Sequence, residues 1–190
     1  MISGILLAGG KSRRMGRNKA FMRYKGEELY QYPLAVLRDF SNDIIVSAPS
    51  GMFPHPFPFT VVPDEIPQKG PLGGIYTCLK KVNYEKAVIL SCDIPFISSA
   101  FIRTLLDVQG EADVVAGTDA NGKVQPLAAI YSSRLWPLMK KQIEENNLKM
   151  HDLLMLAGAK LIDAGHLGFN PDHLFFNVND RADFDKLDNS

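Results

Sequence analysis

Cysteine, histidine, long apolar runs and net charge are all scarce in this chain of 190 residues. It holds two cysteines and four histidines. Two thiols, Cys78 and Cys92, make no disulfide framework and are expected to be reduced. His55, His151, His166 and His173 share no metal-ligand spacing with one another or with the cysteines, so no zinc site is expected. The longest apolar runs, such as residues 5–8 and 87–90, fall far short of the roughly 20 residues that span a bilayer. No basic-then-apolar leader follows Met1, so the expectation is a cytoplasmic protein that engages no membrane. Twenty-one Lys and Arg cancel 21 Asp and Glu, which excludes the broad basic surface of a nucleic-acid binder. An apolar share of 46% and a charged share of 22% exclude a disordered or fibrous chain. The length suits one domain over residues 1–190.

The neutral total conceals an uneven distribution. The first 30 residues carry seven Lys and Arg against two Glu, and the other 160 carry fourteen bases against nineteen acids. A local surplus of five positive charges in an otherwise acidic chain points to one anion-handling site.

Short runs rich in Ile and Val at 2–8, 43–48, 60–62, 87–91, 113–116 and 127–131 predict strands, several apolar on consecutive residues as strands covered on both faces are. Between them, three- and four-residue apolar spacing predicts helices over 28–40, 72–82, 99–108 and 133–145, with Ser98 or Ser99 and Ser132 as caps. Strand alternating with helix implies βαβ units and an α/β fold with a mostly parallel sheet. Six of the twelve prolines fall within 49–67, which reads as a rigid loop system over the sheet. Residues 163–170 read as loop and 174–178 as a last strand before a short helix.

The most informative segment is GILLAGGKSRRMGRNK, residues 4–19. A buried strand ending in Ala8-Gly9-Gly10 permits a sharp turn, whose backbone N–H groups can face phosphate oxygens. Lys11, Arg13, Arg14, Arg17 and Lys19 follow within nine positions and supply neutralising charge. A plain strand–turn–helix link with a solvated basic loop is the alternative. Neither familiar phosphate motif fits: a P-loop would need glycine at Ile5, and Gly9, Gly10 and Gly16 miss the G-x-G-x-x-G spacing. Asp93, in Cys92-Asp93-Ile94-Pro95 after an apolar strand, is a carboxylate placed to hold Mg²⁺ against phosphates, or else a turn-capping Asp. Cys92 has no basic neighbour in sequence to make it a nucleophile.

This first segment resembles the LAGG-x-S-x-R-M-G-x-D-K signature of nucleotidyltransferases, most closely the molybdenum cofactor guanylyltransferases. The similarity extends through Asp64 and Gly70-Pro71-Leu72-Gly73-Gly74-Ile75, Cys92-Asp93-Ile94-Pro95, Gln125-Pro126-Leu127 and Asn177-Val178-Asn179 to Asp183. It implies a Rossmann-like, three-layer α/β/α nucleotidyltransferase fold. It also implies transfer of GMP from GTP to the terminal phosphate of molybdenum-molybdopterin, with release of pyrophosphate. Leu7, Ala8, Gly9, Gly10, Lys19, Asp64 and Asp93 fall on its nucleotide-binding positions. Arg14, Lys19 and Asp93 fall on its catalytic ones, with Asp93 holding Mg²⁺. Gln125, Asn177 and Asn179 would meet the acceptor; read as side chains alone, the paired amides suit a heterocycle or a helix cap. The resemblance further implies transient contact with proteins that deliver molybdopterin or receive the cofactor. The chain departs from the pattern at Asn18, where Asp is usual, and at Ser47 and Pro49, where relatives often carry Asn. CTP, a sugar or alcohol phosphate acceptor, and a non-catalytic nucleotide- or pterin-binding role therefore stay open.

Overall fold

A computed structural model describes residues 1–9 and 18–187. Along the chain run β1 (Ser3–Leu7), a one-turn 3₁₀ helix (Lys19–Phe21), β2 (Arg23–Tyr24), β3 (Glu27–Glu28), α1 (Gln31–Arg38), β4 (Ile44–Ser47), β5 (Thr60–Val62) and α2 (Gly70–Leu79). Then follow β6 (Lys86–Ser91), α3 (Ser99–Val108), β7 (Val114–Thr118), β8 (Val124–Ser132), α4 (Trp136–Glu144), α5 (Met150–Leu156), β9 (Lys160–Asp163), α6 (Pro171–Leu174) and α7 (Arg181–Leu187). Seven strands form one sheet in the order β5-β4-β1-β6-β8-β7-β9. β8 runs antiparallel to both its neighbours and every other pairing in this sheet is parallel. No helix among the described residues is long and apolar enough to cross a membrane.

Period-two alternation along the strands divides the core in two. Leu6, Val46, Val88, Leu90 and Val115 face a cluster with Leu34 and Leu37 of α1 and Phe101, Ile102 and Leu105 of α3. Ile5, Leu7, Ile45, Ile89, Val114 and Ala116 face a second cluster with Leu72 and Ile75 of α2, Met139 of α4 and Leu153 of α5. Continuous apolar runs in the sequence are the signature of a sheet covered on both faces, and three α/β/α layers result. Ser98 caps α3 by accepting from the Phe101 N–H at 3.3 Å. Ser132 instead caps the 3₁₀ turn Ser133–Leu135 that precedes α4.

Two expectations need correction, and two elements were not foreseen. Residues 174–178 are not a strand: Asn170 caps α6 through the His173 N–H at 3.3 Å, with Pro171 in its first turn. Asn followed by Pro is a helix start, and it overrides the apolar run behind it. Phe175 and Val178 there join different clusters. The helix expected over 28–40 begins only at Gln31, because Glu27 and Glu28 pair with Tyr24 and Arg23 in a small hairpin. The two elements α5 and β9, the latter completing the sheet edge, had no clear sequence signal.

β7 and β8 shift register between Ala116 and Gly117. A Cβ on Gly117 would stand 2.6 Å from Phe101 Cζ and 2.8 Å from Phe175 Cζ. Gly117→Ala is therefore expected to destabilise the fold by about 1–3 kcal/mol, the usual cost of overpacking. Urea unfolding checks this, and an unchanged midpoint would show that the two rings yield freely.

Candidate active site at the carboxyl rim of the sheet

The carboxyl ends of β1, β4, β5 and β6 open on one rim. From β1 the chain steps to β4 and β5 on one side and to β6 on the other. This is the topological switch point where open α/β sheets leave a crevice for ligands. Because β8 is antiparallel, its amino end reaches the same rim, and Gln125 lies there opposite Gly117.

Lys19 and Asp93 meet at this rim. Lys19 Nζ forms an ion pair with Asp93 Oδ2, joining positions 74 residues apart. The Asp93 side chain is 8% exposed and that of Lys19 22%. Asp93 Oδ1 is also buried, and it has no hydrogen-bond partner among the described residues. Local structure fixes both ends of the pair. Asn18 caps the short 3₁₀ helix by accepting from the Ala20 N–H at 3.1 Å, and its amide donates to Met52 Sδ at 3.4 Å. On the other side, the Cys92 N–H donates to the Leu7 carbonyl at 3.0 Å and the Val178 N–H to the Asp93 carbonyl at 2.9 Å. Among the described residues no three His, Cys, Asp or Glu side chains converge.

The glycine turn begins differently from expectation. The Ala8 and Gly9 N–H groups both donate to the Ser47 carbonyl, at 3.0 and 2.8 Å. These two donors are therefore spent inside the fold, not directed at a ligand. Gly10, Lys11, Arg13, Arg14 and Arg17 lie outside the described residues. Leu7 and Ala8 are buried, and Gly9 is the first exposed residue of the turn.

Asp64, two residues past β5, accepts a hydrogen bond from Ser47 Oγ at 3.1 Å. Partial burial pushes its carboxyl above the ordinary range, and the Ser47 hydroxyl offsets part of that rise. The sequence marks Ser47 only as a departure from the family's asparagine, not as the partner of Asp64. The one available signal was a hydroxyl closing the buried run Ile44-Ile45-Val46. Cys92 is inert as a nucleophile: burial, helped by the Asp93 charge, pushes its thiol up to about 12.

Of the three amides expected near the acceptor, Gln125 donates to Asp119 Oδ2 at 3.2 Å and to the Lys123 carbonyl at 3.4 Å. Asp119 thereby sets which way the amide oxygen is presented, a contact the sequence did not reveal. Asn177 and Asn179 are exposed and flank buried Val178, whose N–H ties them to Asp93. They are not on a strand, and neither side chain caps α7. Asp180 does so through the Asp183 N–H at 3.0 Å, while Asp183 accepts from the Asn179 N–H at 3.0 Å.

The Asp64 shift has a consequence for stability. Its folded carboxyl titrates above the unfolded value of 3.8, so its contribution favours the fold at low pH and is lost as pH rises through the raised value. At neutral pH the ionised group is a net cost. Asp64→Asn should raise the melting temperature at pH 7 by about 2 °C, the response of a chain this size to a fraction of a kcal/mol. That gain should shrink towards pH 3.5. Thermal unfolding at the two pH values checks this; a variant less stable than wild type at pH 7 would contradict it.

Residues 4–158 match the MobA-like NTP transferase domain. A probable molybdenum cofactor guanylyltransferase of Bacillus subtilis is 38% identical over 193 residues, covering 97% of this chain and 93% of that protein. One from Carboxydothermus hydrogenoformans is 30% identical over 184 residues, covering 96% and 92%. Molybdopterin-guanine dinucleotide biosynthesis protein A of Archaeoglobus fulgidus shares the fold, with a TM-score of 0.82 at 18% identity over 99% of this chain and 97% of that one. So does 2-C-methyl-D-erythritol 4-phosphate cytidylyltransferase of Thermus thermophilus, with a TM-score of 0.72 at 15% identity over 100% and 98%. The domain match spans most of the chain, and the two relatives are 38% and 30% identical over nearly its whole length: this protein belongs to the MobA-like NTP transferase family.

Proposed function

We propose that the protein transfers GMP from GTP to the terminal phosphate of molybdenum-molybdopterin, forming molybdopterin guanine dinucleotide and pyrophosphate. Residues 1–190 act as one nucleotidyltransferase domain, in the cytoplasm, in transient contact with the proteins that deliver molybdopterin or receive the product. The observation that carries this reading is the Lys19–Asp93 pair at the switch point of the sheet, with the second Asp93 carboxylate oxygen buried and without a hydrogen-bond partner among the described residues. The B. subtilis relative, named a probable molybdenum cofactor guanylyltransferase, supports the choice of nucleotide and acceptor.

A buried, unpartnered carboxylate oxygen suits a hard cation. Mg²⁺ needs only one or two protein carboxylates when phosphates and water supply its remaining ligands. Asp93 would hold it; when bound, the ion draws charge from the phosphate oxygens it touches. The rest of the chemistry falls to the chain. An oxygen of the acceptor phosphate forms a bond to the α-phosphorus of GTP, and the bond from that phosphorus to the bridging oxygen breaks. Pyrophosphate leaves with the electron pair. Both reactants are anions, so positioning and charge stabilisation dominate the rate. Lys19 supplies a cation at the rim, and Arg14 adds charge from the basic segment. The segment opened by Leu7, Ala8, Gly9 and Gly10 lies along the triphosphate. Asp64 accepts from the nucleoside, and Gln125, Asn177 and Asn179 contact the acceptor. No covalent enzyme intermediate is involved.

Pyrophosphate release measured with GTP and CTP, with and without molybdopterin, tests this reading. Turnover should require molybdopterin and prefer GTP. Asp93→Ala and Lys19→Met should each lower kcat by about 10²–10³, the usual loss when one charge-stabilising group is removed. Preference for CTP, or activity unaffected by Asp93→Ala, would overturn it.

A further inference from the structure

Ser47 is the last residue of β4 and 3% exposed, and its two oxygens serve different partners. Its carbonyl accepts from Ala8 and Gly9, which holds the entrance of the glycine turn. Its hydroxyl donates to Asp64 Oδ1 at 3.1 Å. Space for that hydroxyl comes from α2. A Cβ on Gly74 would stand 2.7 Å from Ser47 Oγ and 3.4 Å from Asp64 Oδ1. The hydroxyl is a polar group closing the apolar run Ile44-Ile45-Val46, and its bond to Asp64 is what answers it there.

We infer that Ser47 is a positioning residue that holds Asp64 as the hydrogen-bond acceptor for the nucleoside part of the bound nucleotide, in a space that Gly74 keeps open. This rests on the reading that a nucleotide lies at this rim. A carboxylate accepts from N–H and O–H groups, which a nucleoside carries on base and sugar and an ionised triphosphate lacks. Asp64 therefore serves the nucleoside, while Lys19 serves the phosphates. Ser47 stands between the two halves, its hydroxyl on one and its carbonyl on the other.

Ser47→Ala separates them, because it removes the hydroxyl and keeps the carbonyl. The experiment is calorimetric binding of GTP, CTP and inorganic tripolyphosphate, each with Mg²⁺, to wild type, Ser47→Ala, Gly74→Ala and the double variant. Ser47→Ala should weaken the preferred nucleotide by about fivefold to tenfold, as for one lost hydrogen bond. Tripolyphosphate affinity should stay within about twofold. Gly74→Ala, which displaces the same hydroxyl, should show the same selective loss. The double variant should be no weaker than either single one, since both remove one contact. The inference is overturned if Ser47→Ala binds nucleotide like wild type, or loses nucleotide and tripolyphosphate by the same factor. A wild type that prefers CTP overturns the guanylyl reading alone, and the Ser47 comparison is then decided with CTP. A wild type that binds tripolyphosphate but neither nucleotide overturns both.

Discussion

A nearly buried carboxylate must have a cation, and for Asp93 that cation is Lys19. Much of the site follows from this one constraint. Asp93 is carried by the chain just past β6, which pairs with β1 from Ser3↔Ala87 to Leu7↔Ser91. Lys19 stands at β1's own rim on a single 3₁₀ turn capped by Asn18. A pair held this way is not designed for maximum stability, since one carboxylate oxygen is buried with no hydrogen-bond partner among the described residues. That is the expected condition of a group kept ready for a ligand of opposite charge.

The rest of the sheet serves this rim. Two apolar clusters, one on each face, make the parallel strands β4, β1 and β6 a rigid base whose ends cannot shift independently. The antiparallel β8 brings Gln125 to the rim from the opposite chain direction. The carboxyl-terminal segment then crosses behind Asp93, bound to it by the Val178 N–H, while Phe184 and Leu187 of α7 pack with Tyr24 and Leu29 around the small hairpin. Carboxylates and amides from across the chain, between Asp64 and Asn179, thus stand on one framework. Asp64 shows what this costs, since its ionised form is penalised by the same burial that fixes its position.

Much of this was legible in the sequence, for identifiable reasons. Strands with both faces covered have no polar alternation to blur them, so β1, β4 and β6 were recognisable from their Ile and Val runs, while the half-exposed edge strand β5 was recognisable from its paired valines. α3 was recognisable to the residue from its apolar spacing and its serine cap. Strand direction was not legible, because a covered antiparallel strand such as β8 has the same apolar pattern as a parallel one. β9 was missed because four mostly exposed residues, Lys160–Asp163, have no buried run to detect. At the site, Lys19 and Asp93 were recognisable through their motifs, but the bond between them required the fold. Ser47 was read only as a missing asparagine. Its work lies in contacts with Ala8, Gly9, Asp64 and Gly74, which no local window contains.

Under the proposed function, the Lys19–Asp93 pair is the resting form of a nucleotide site, opened when phosphates and a divalent cation arrive. A crystal structure with a non-hydrolysable GTP analogue and Mg²⁺ measures this directly. The expected result is the Asp93 carboxylate on the cation and Lys19 Nζ moved to a phosphate oxygen, with the nucleoside beside Asp64. An intact Lys19–Asp93 pair, with the triphosphate bound elsewhere on the molecule, would contradict it.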